Sequence, residues 1–91
     1  MRVELLTAAS STGAGRTWNG GAGAFMVAGT LGGATVTLQV LGPDGATWIA
    51  VGDEATFDSA GICGFSLPPG QIRAAVSGGS PSGLYASAAT L

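Results

Sequence analysis

The side chains that most enzymes use for catalysis are scarce in this 91-residue chain. It contains no histidine and no lysine, and its three cations are Arg2, Arg16 and Arg73. A serine or cysteine nucleophile therefore has no imidazole base, and neither a Schiff base nor a lysine-bearing phosphate loop can form. Residues 13–18 begin like a dinucleotide-binding fingerprint, but Trp18 stands where the third glycine is required. The sequence therefore predicts a protein that is not an enzyme.

A small acidic cluster and one cysteine are the remaining reactive groups. Asp53, Glu54 and Asp58 offer the oxygen ligands that Ca²⁺ binds, but their spacing follows no calcium-loop motif. We interpret them as solvated turn residues. Cys63 has no base beside it in the sequence, so we interpret it as a small buried apolar residue rather than a nucleophile. The sequence predicts no metal site and no cofactor.

Three larger side chains are candidates for contacts with other proteins. Trp18 lies in a glycine-rich stretch without an obvious core to join, and exposed tryptophans of this kind are typical interface anchors. Arg73 lies in a predicted strand on the face opposite Ile72 and Ala74. Its guanidinium is there either simply exposed or part of an intersubunit or intrasheet ion pair. Tyr85 is the third candidate interface residue.

The low charge content favours assembly with other protein chains. Only 9% of the residues are charged, against about 25% in an average soluble domain. A chain this short buries a modest core, and its single cysteine cannot form an internal disulfide, so oligomerisation is the remaining route to stability. The net charge of −2 without a basic cluster argues against binding to nucleic acid or to a membrane surface. We therefore predict a homo-oligomer.

Residues 34–51 predict the fold class. Val36, Leu38 and Val40 alternate with polar residues, which is the two-residue period of a half-buried strand. A second apolar run follows residues 43–45, Pro-Asp-Gly, which favour a tight reversal of the chain. This segment is predicted to be a β-hairpin.

Turn-forming residues recur through the whole chain. Glycine occurs 17 times, and frequent interior glycines disfavour helices, so little or no helix is expected. We predict one domain, residues 1–91, built as a small antiparallel β-sandwich or barrel of seven to eight short strands. Residues 10–21 are predicted to be a Gly/Ser-rich connector or arm. The strand predictions are residues 2–8, 22–30, 34–41, 47–51, 55–57, 62–67, 71–77 and 84–91.

Two stretches of the second half resemble small virion proteins of tailed bacteriophages. The first, V-L-G-P-D-G-A-T-W-I-A-V-G, covers residues 40–52, and the second, L-P-P-G-Q-I-R-A-A-V-S-G-G-S-P-S-G-L-Y-A-S, covers residues 67–87. Some of the similar proteins look like decoration, or cement, proteins on the outer face of the head. The matching positions are Asp44, Gly45, Trp48, Pro69, Gly70, Arg73, Ala74, Gly78, Gly79, Pro81 and Tyr85. These residues look fold-making, so the resemblance implies a scaffold rather than a reaction.

The resemblance implies a non-catalytic decoration protein that bridges adjacent subunits of the major capsid protein. The expected assembly is a trimer at capsid threefold positions, located on the virion surface after synthesis in the host bacterial cytoplasm. Residues 1–21 are a candidate arm that adds a strand to a neighbouring chain. Two alternatives remain open: a phage neck, tail or fibre protein, and a small carbohydrate-binding β-sandwich module that uses Trp18, Tyr85 and nearby acidic residues.

Overall fold

Turns rich in glycine and proline divide the chain into nine β-strands. The computed structural model describes residues 1–91, and its one helical element is a 3₁₀ turn at Asp53–Ala55. The strands are β1 (Arg2–Ala9), β2 (Arg16–Trp18), β3 (Gly21–Thr30), β4 (Thr35–Leu41), β5 (Trp48–Ala50), β6 (Thr56–Phe57), β7 (Gly61–Leu67), β8 (Gly70–Ser77) and β9 (Ser82–Thr90). The all-β prediction is confirmed. The predicted strands form with ends shifted by one or two residues, and β2 is an additional strand.

Two antiparallel sheets pack face to face as a sandwich. Sheet A has four strands in the order β1-β9-β3-β7. Sheet B has five, in the order β2-β8-β4-β5, with β6 pairing beside β5 along the same edge of β4. Sheet A has open edges at β1 and β7. Sheet B has open edges at β2 and, on its other side, at β5 and β6.

The predicted hairpin forms from β4 and β5, with Leu41 opposite Trp48. Asp44 stabilises the turn between them: its Oδ1 accepts the backbone N–H of Ala46 at 3.0 Å and that of Thr47 at 2.9 Å. Its Oδ2 accepts the Thr47 hydroxyl at 2.6 Å. These bonds favour the carboxylate, the hydroxyl of Thr47 most of all, and they lower the pKa of Asp44 to about 2. The turn residues that the sequence singles out therefore do close the hairpin.

The hydrophobic core lies between the inner faces of the two sheets. Val36 and Leu38 are completely buried there, as their alternation with polar residues predicts. The largest fully buried side chains are Trp18, Phe25, Leu38, Ile72, Leu84 and Val36. Phe25 also stacks on Phe57, with ring centroids 5.8 Å apart. Both sheets contribute to this core, which is how the short strands hold together.

Strand β1 departs from simple alternation. Strict alternation over residues 2–8 would place Leu6 on the face opposite Val3 and Leu5, but all three side chains are buried. The register between β1 and β9 shifts between Glu4 and Leu6, as in a β-bulge, which turns two successive leucines inward. The bulge gives the core an extra large side chain from an edge strand.

The predicted connector, residues 10–21, is paired along sheet B. The hydroxyl of Thr12 accepts the backbone N–H of Val76 at 2.9 Å, and the N–H of Gly13 donates to the carbonyl of Ala74 at 3.2 Å. Strand β2 then continues this alignment along β8. Since β1 pairs with β9, residues 1–21 supply edge strands to both sheets of their own chain rather than a free arm.

Candidate interaction surfaces

Polar and aromatic side chains meet on the outer face of sheet B. Arg73 lies with its guanidinium carbon 4.5 Å from the centre of the Trp48 ring, a cation–π contact. Its Nε donates to Oε1 of Gln39 at 2.8 Å. Beside them, Nε2 of Gln71 donates to the hydroxyl of Thr17 at 3.0 Å. We call these five residues the arginine–tryptophan patch.

The backbone at Gly15 holds Trp48 in this patch. A Cβ at Gly15 would lie only 3.0 Å from Cη2 of Trp48 and 3.3 Å from its Cζ2. The absence of a side chain therefore lets the segment before β2 approach the edge of the indole ring. The paired connector and the hairpin strand β5 thus position the tryptophan from two sides.

Arg73 does not make the intrasheet ion pair considered from the sequence. The one salt bridge of the chain joins Arg2 to Glu4 at 2.8 Å, on the exposed edge strand β1. Arg73 is instead half-buried and held by a neutral amide and an aromatic ring. Its intrasheet contact is real, but its partners, Gln39 and Trp48, are uncharged.

Trp18 is not an exposed anchor. Only 1% of the residue is exposed, and its ring packs against Phe65 with centroids 5.0 Å apart. The absence of a side chain at Gly23 leaves room for the indole ring, because a Cβ there would lie 2.8 Å from the Trp18 ring. The indole Nε1 has no hydrogen-bond acceptor. The prediction of an exposed Trp18 is therefore wrong: the folding of β2 onto β8 carries this side chain into the core.

Tyr85 lies on the other side of the molecule, on the outer face of sheet A, and 49% of it is exposed. Strand alternation and register place on this face Ala22, Ala24, Met26, Ala28, Ile62, Gly64, Ser66, Tyr85, Ser87 and Ala89. None of them is charged. The salt-bridged Arg2 and Glu4 lie on the same outer face, on the edge strand β1 opposite Ala89 and Ser87. A shallow depression of about 200 Å³ lies between this pair, Met26 and Tyr85. We call the part of the face formed by the ten residues of β3, β7 and β9 the uncharged face.

The acidic residues and the cysteine do not form a reactive centre. No group of three or more His, Cys, Asp or Glu side chains is arranged to hold a metal ion. Cys63 is half-buried in β7, and burial, with the nearby Glu54 carboxylate as a smaller cause, raises the pKa of its thiol. A thiol with a raised pKa is a weak nucleophile.

Sequence reasoning missed the arginine–tryptophan patch, although a signal for it exists. Gln39, Gln71 and Arg73 all occupy the outward positions of strands whose inward residues are apolar. The missing information was the pairing of β4 with β8, which places Gln39 opposite Arg73. That pairing joins residues 34 positions apart in the sequence.

Comparison of the chain with protein-family models, with curated proteins and with solved structures finds no match. The structure contains no helix that is long and apolar enough to cross a membrane.

Proposed function

We propose that this chain is a structural protein of a bacteriophage virion, a decoration protein that stabilises the capsid by bridging adjacent capsid subunits. The phage assignment rests on the sequence resemblance of residues 40–52 and 67–87 to small virion proteins. The observation that carries the adhesive role is the uncharged face of sheet A. The ten outward residues of β3, β7 and β9 include no charge and only one large aromatic side chain, Tyr85, and the two charged residues of the face, Arg2 and Glu4, lie at its β1 edge, where they pair with each other.

The proposed mechanism is adhesion without chemistry. Small side chains such as those of Ala22, Ala24 and Ala28 let another protein surface approach the sheet closely, and Met26 and Tyr85 supply larger apolar contacts. Interface cores are typically depleted of charged residues. Each such contact is small, but many copies on one shell act together through avidity.

The proposed partner is the major capsid protein, and the proposed site of action is the outer surface of the virion. On the capsid, the favoured homo-oligomer is a trimer at threefold positions, which presents several uncharged faces to neighbouring capsid subunits. Tyr85 is retained as a proposed residue of the capsid contact. Arg73, on the outer face of sheet B, is retained only as a proposed contact between copies of the chain, and Trp18 is withdrawn because it is buried.

The test compares two exposed alanines on opposite sheets. Ala28→Glu places a carboxylate on the uncharged face, and Ala50→Glu places the same charge on the outer face of sheet B. Particles of the encoding phage that lack the protein are mixed with each variant, pelleted and quantified. We expect Ala28→Glu to lose binding and Ala50→Glu to keep it. Equal binding of both variants, or no binding of the wild-type chain, overturns the proposal.

Salt dependence gives a second readout of the same proposal. At about 1 M salt the Debye length falls to about 3 Å, which screens contacts between exposed charges. A contact made by the uncharged face is expected to survive this treatment. Release of the wild-type chain at moderate salt would mean that ion pairs hold it instead.

A neck, tail or fibre protein of the same virion remains an alternative, because it would use similar uncharged surfaces. Copy number separates the two roles. A decoration protein is present in numbers comparable with those of the capsid protein, whereas a neck or tail protein is present in few copies.

One observation favours a second candidate function, carbohydrate binding. The version built on Trp18 and Tyr85 fails, because Trp18 is in the core and Tyr85 lies on the outer face of sheet A. The arginine–tryptophan patch instead combines an aromatic ring with amide and hydroxyl groups, the mixture with which proteins bind polar ligands that have apolar faces. Titration of Trp48 fluorescence with a panel of glycans tests it, and Trp48→Phe is the control.

A further inference from the structure

Strand β7 is an open edge of sheet A whose own seven residues carry no charge. The 3₁₀ turn at Asp53–Ala55 packs against it and places the Glu54 carboxylate near Cys63. Strand β7 pairs with β3 along Gly61–Leu67 without a register shift and has no strand on its other side. No backbone hydrogen bond outside the regular ladders involves residues 61–67. Natural edge strands usually carry lysine, proline or a bulge that blocks further pairing, and β7 has none of these.

The core is also incomplete along this edge. Cys63, Phe65 and Leu67 point inward from β7 and pack against the buried cluster, yet each remains half-exposed. On the outward side, Ile62 is 63% exposed. A strand added beside β7 would bond to its outward N–H and C=O groups and cover these apolar side chains at the same time.

We infer that the strand that adds to β7 is β7 of a second copy of this chain, in an antiparallel pair with its twofold axis at Gly64. This register is the one that pairs all seven residues of the strand. It sets Cys63 of each copy opposite Phe65 of the other, so that two half-exposed apolar residues cover each other. Because β7 is uncharged, no like charges lie opposite in the symmetric pair.

Gly64 is well suited to the centre of such a contact. It is exposed, and a Cβ built on it would meet nothing nearer than the Gly23 carbonyl oxygen at 3.8 Å. Two copies can therefore approach at this point without side-chain conflict, and a side chain can be introduced there without disturbing the fold. The result is a continuous eight-stranded sheet, made from two four-stranded sheets.

The strength of the contact is limited by its size and by charge. One strand pair with its flanking side chains is smaller than the roughly 800 Å² per partner of a standard interface, so weak, concentration-dependent association is expected. Each copy has a net charge of −2, and the Glu54 carboxylate lies close enough to Cys63 to raise the pKa of its thiol. Added salt screens this repulsion and is expected to strengthen the dimer.

The test is a charge exchange at the twofold axis, measured by sedimentation equilibrium of the full chain with no other protein present. The wild-type mass is expected to rise from 8.7 kDa towards twice that value as the concentration increases. Gly64→Lys and Gly64→Glu each place two like charges opposite one another, and each is expected to stay monomeric over the same range. An equimolar mixture of the two variants restores the dimer, since opposite charges then face each other.

Ala50→Lys, an exposed substitution on sheet B, is the matched control and is expected to dimerise like the wild-type chain. Far-UV circular dichroism verifies that every variant keeps the fold. A wild-type chain that stays monomeric at all concentrations overturns the inference, as does a mixture of folded variants that does not associate. The inference does not depend on the virion role, so particle binding can fail while this contact stands, and the reverse also holds.

Discussion

Truncation of Trp18 is expected to cost a large part of the stability of this protein. Trp18 is 1% exposed, belongs to the hydrophobic core and packs on Phe65. Replacing a buried aromatic residue with alanine typically costs about 3–5 kcal/mol, and a small domain has only about 5–15 kcal/mol in total. Trp48→Ala is the matched control: Trp48 is half-buried on the outer face, and its cation–π contact with Arg73 is worth about 1 kcal/mol.

Trp18→Phe separates packing from the polar group. It keeps a ring in the core but removes the indole N–H that has no acceptor. A buried unpaired donor costs about 1–3 kcal/mol, so its removal offsets part of the packing loss. We expect Trp18→Phe to be less destabilising than Trp18→Ala by about 2 kcal/mol.

Urea denaturation followed by far-UV circular dichroism gives the free energies of unfolding of Trp18→Ala, Trp18→Phe and Trp48→Ala, each compared with that of the wild-type chain. Tryptophan emission gives an independent measure, because each Trp→Phe variant leaves a single tryptophan. In Trp48→Phe, the remaining Trp18 is expected to emit at short wavelength and to resist iodide quenching. If Trp18→Ala is no less stable than Trp48→Ala, or if iodide quenches Trp18 freely, the placement of Trp18 in the core is wrong.

Three further predictions follow from the side-chain contacts. Arg73→Lys keeps the charge but loses the planar stack on Trp48, so the free energy of unfolding is expected to fall by about 1 kcal/mol, and an unchanged value in urea titrations would refute the contact. The pKa of Asp44 is about 2 in the fold and 3.8 ordinarily, so the stability that its carboxylate contributes is full above pH 3.8 and is lost as the pH falls through 2. Asp44→Asn should lack this component of acid unfolding, and identical acid-unfolding profiles of the variant and the wild-type chain would contradict the prediction. Burial, and secondarily Glu54, raises the pKa of Cys63, so its alkylation by iodoacetamide should require a higher pH than that of a free thiol, and Glu54→Gln should lower this pH. If Cys63 is alkylated with the pH dependence of a free thiol, neither cause acts.

The local pattern of the sequence was sufficient for eight of the nine strands and for the hairpin. Alternation in β4 identified Val36 and Leu38 as core residues, and the Pro-Asp-Gly turn identified the reversal that follows. Both depend on neighbours within a few residues. The all-β fold class could also be predicted locally, because glycine-rich turns at short intervals exclude long helices.

What the sequence left out depends on contacts between distant residues. Trp18 is buried because β2 pairs with β8, more than 50 positions along the chain. Leu6 is buried because a bulge against β9 reverses its direction. The stack of Arg73 on Trp48 requires that β4, β5 and β8 be neighbours in one sheet. None of these pairings is encoded in local periodicity.

The proposed virion role is tested most directly by the copy number of the chain in purified particles of the phage proposed to encode it. Quantitative mass spectrometry of intact virions, washed at high salt, gives the number of copies relative to the major capsid protein. A decoration protein predicts a number of the same order as that of the capsid protein, retained through the wash. Absence of the chain from the washed virion, or only a few copies per particle, would contradict the account.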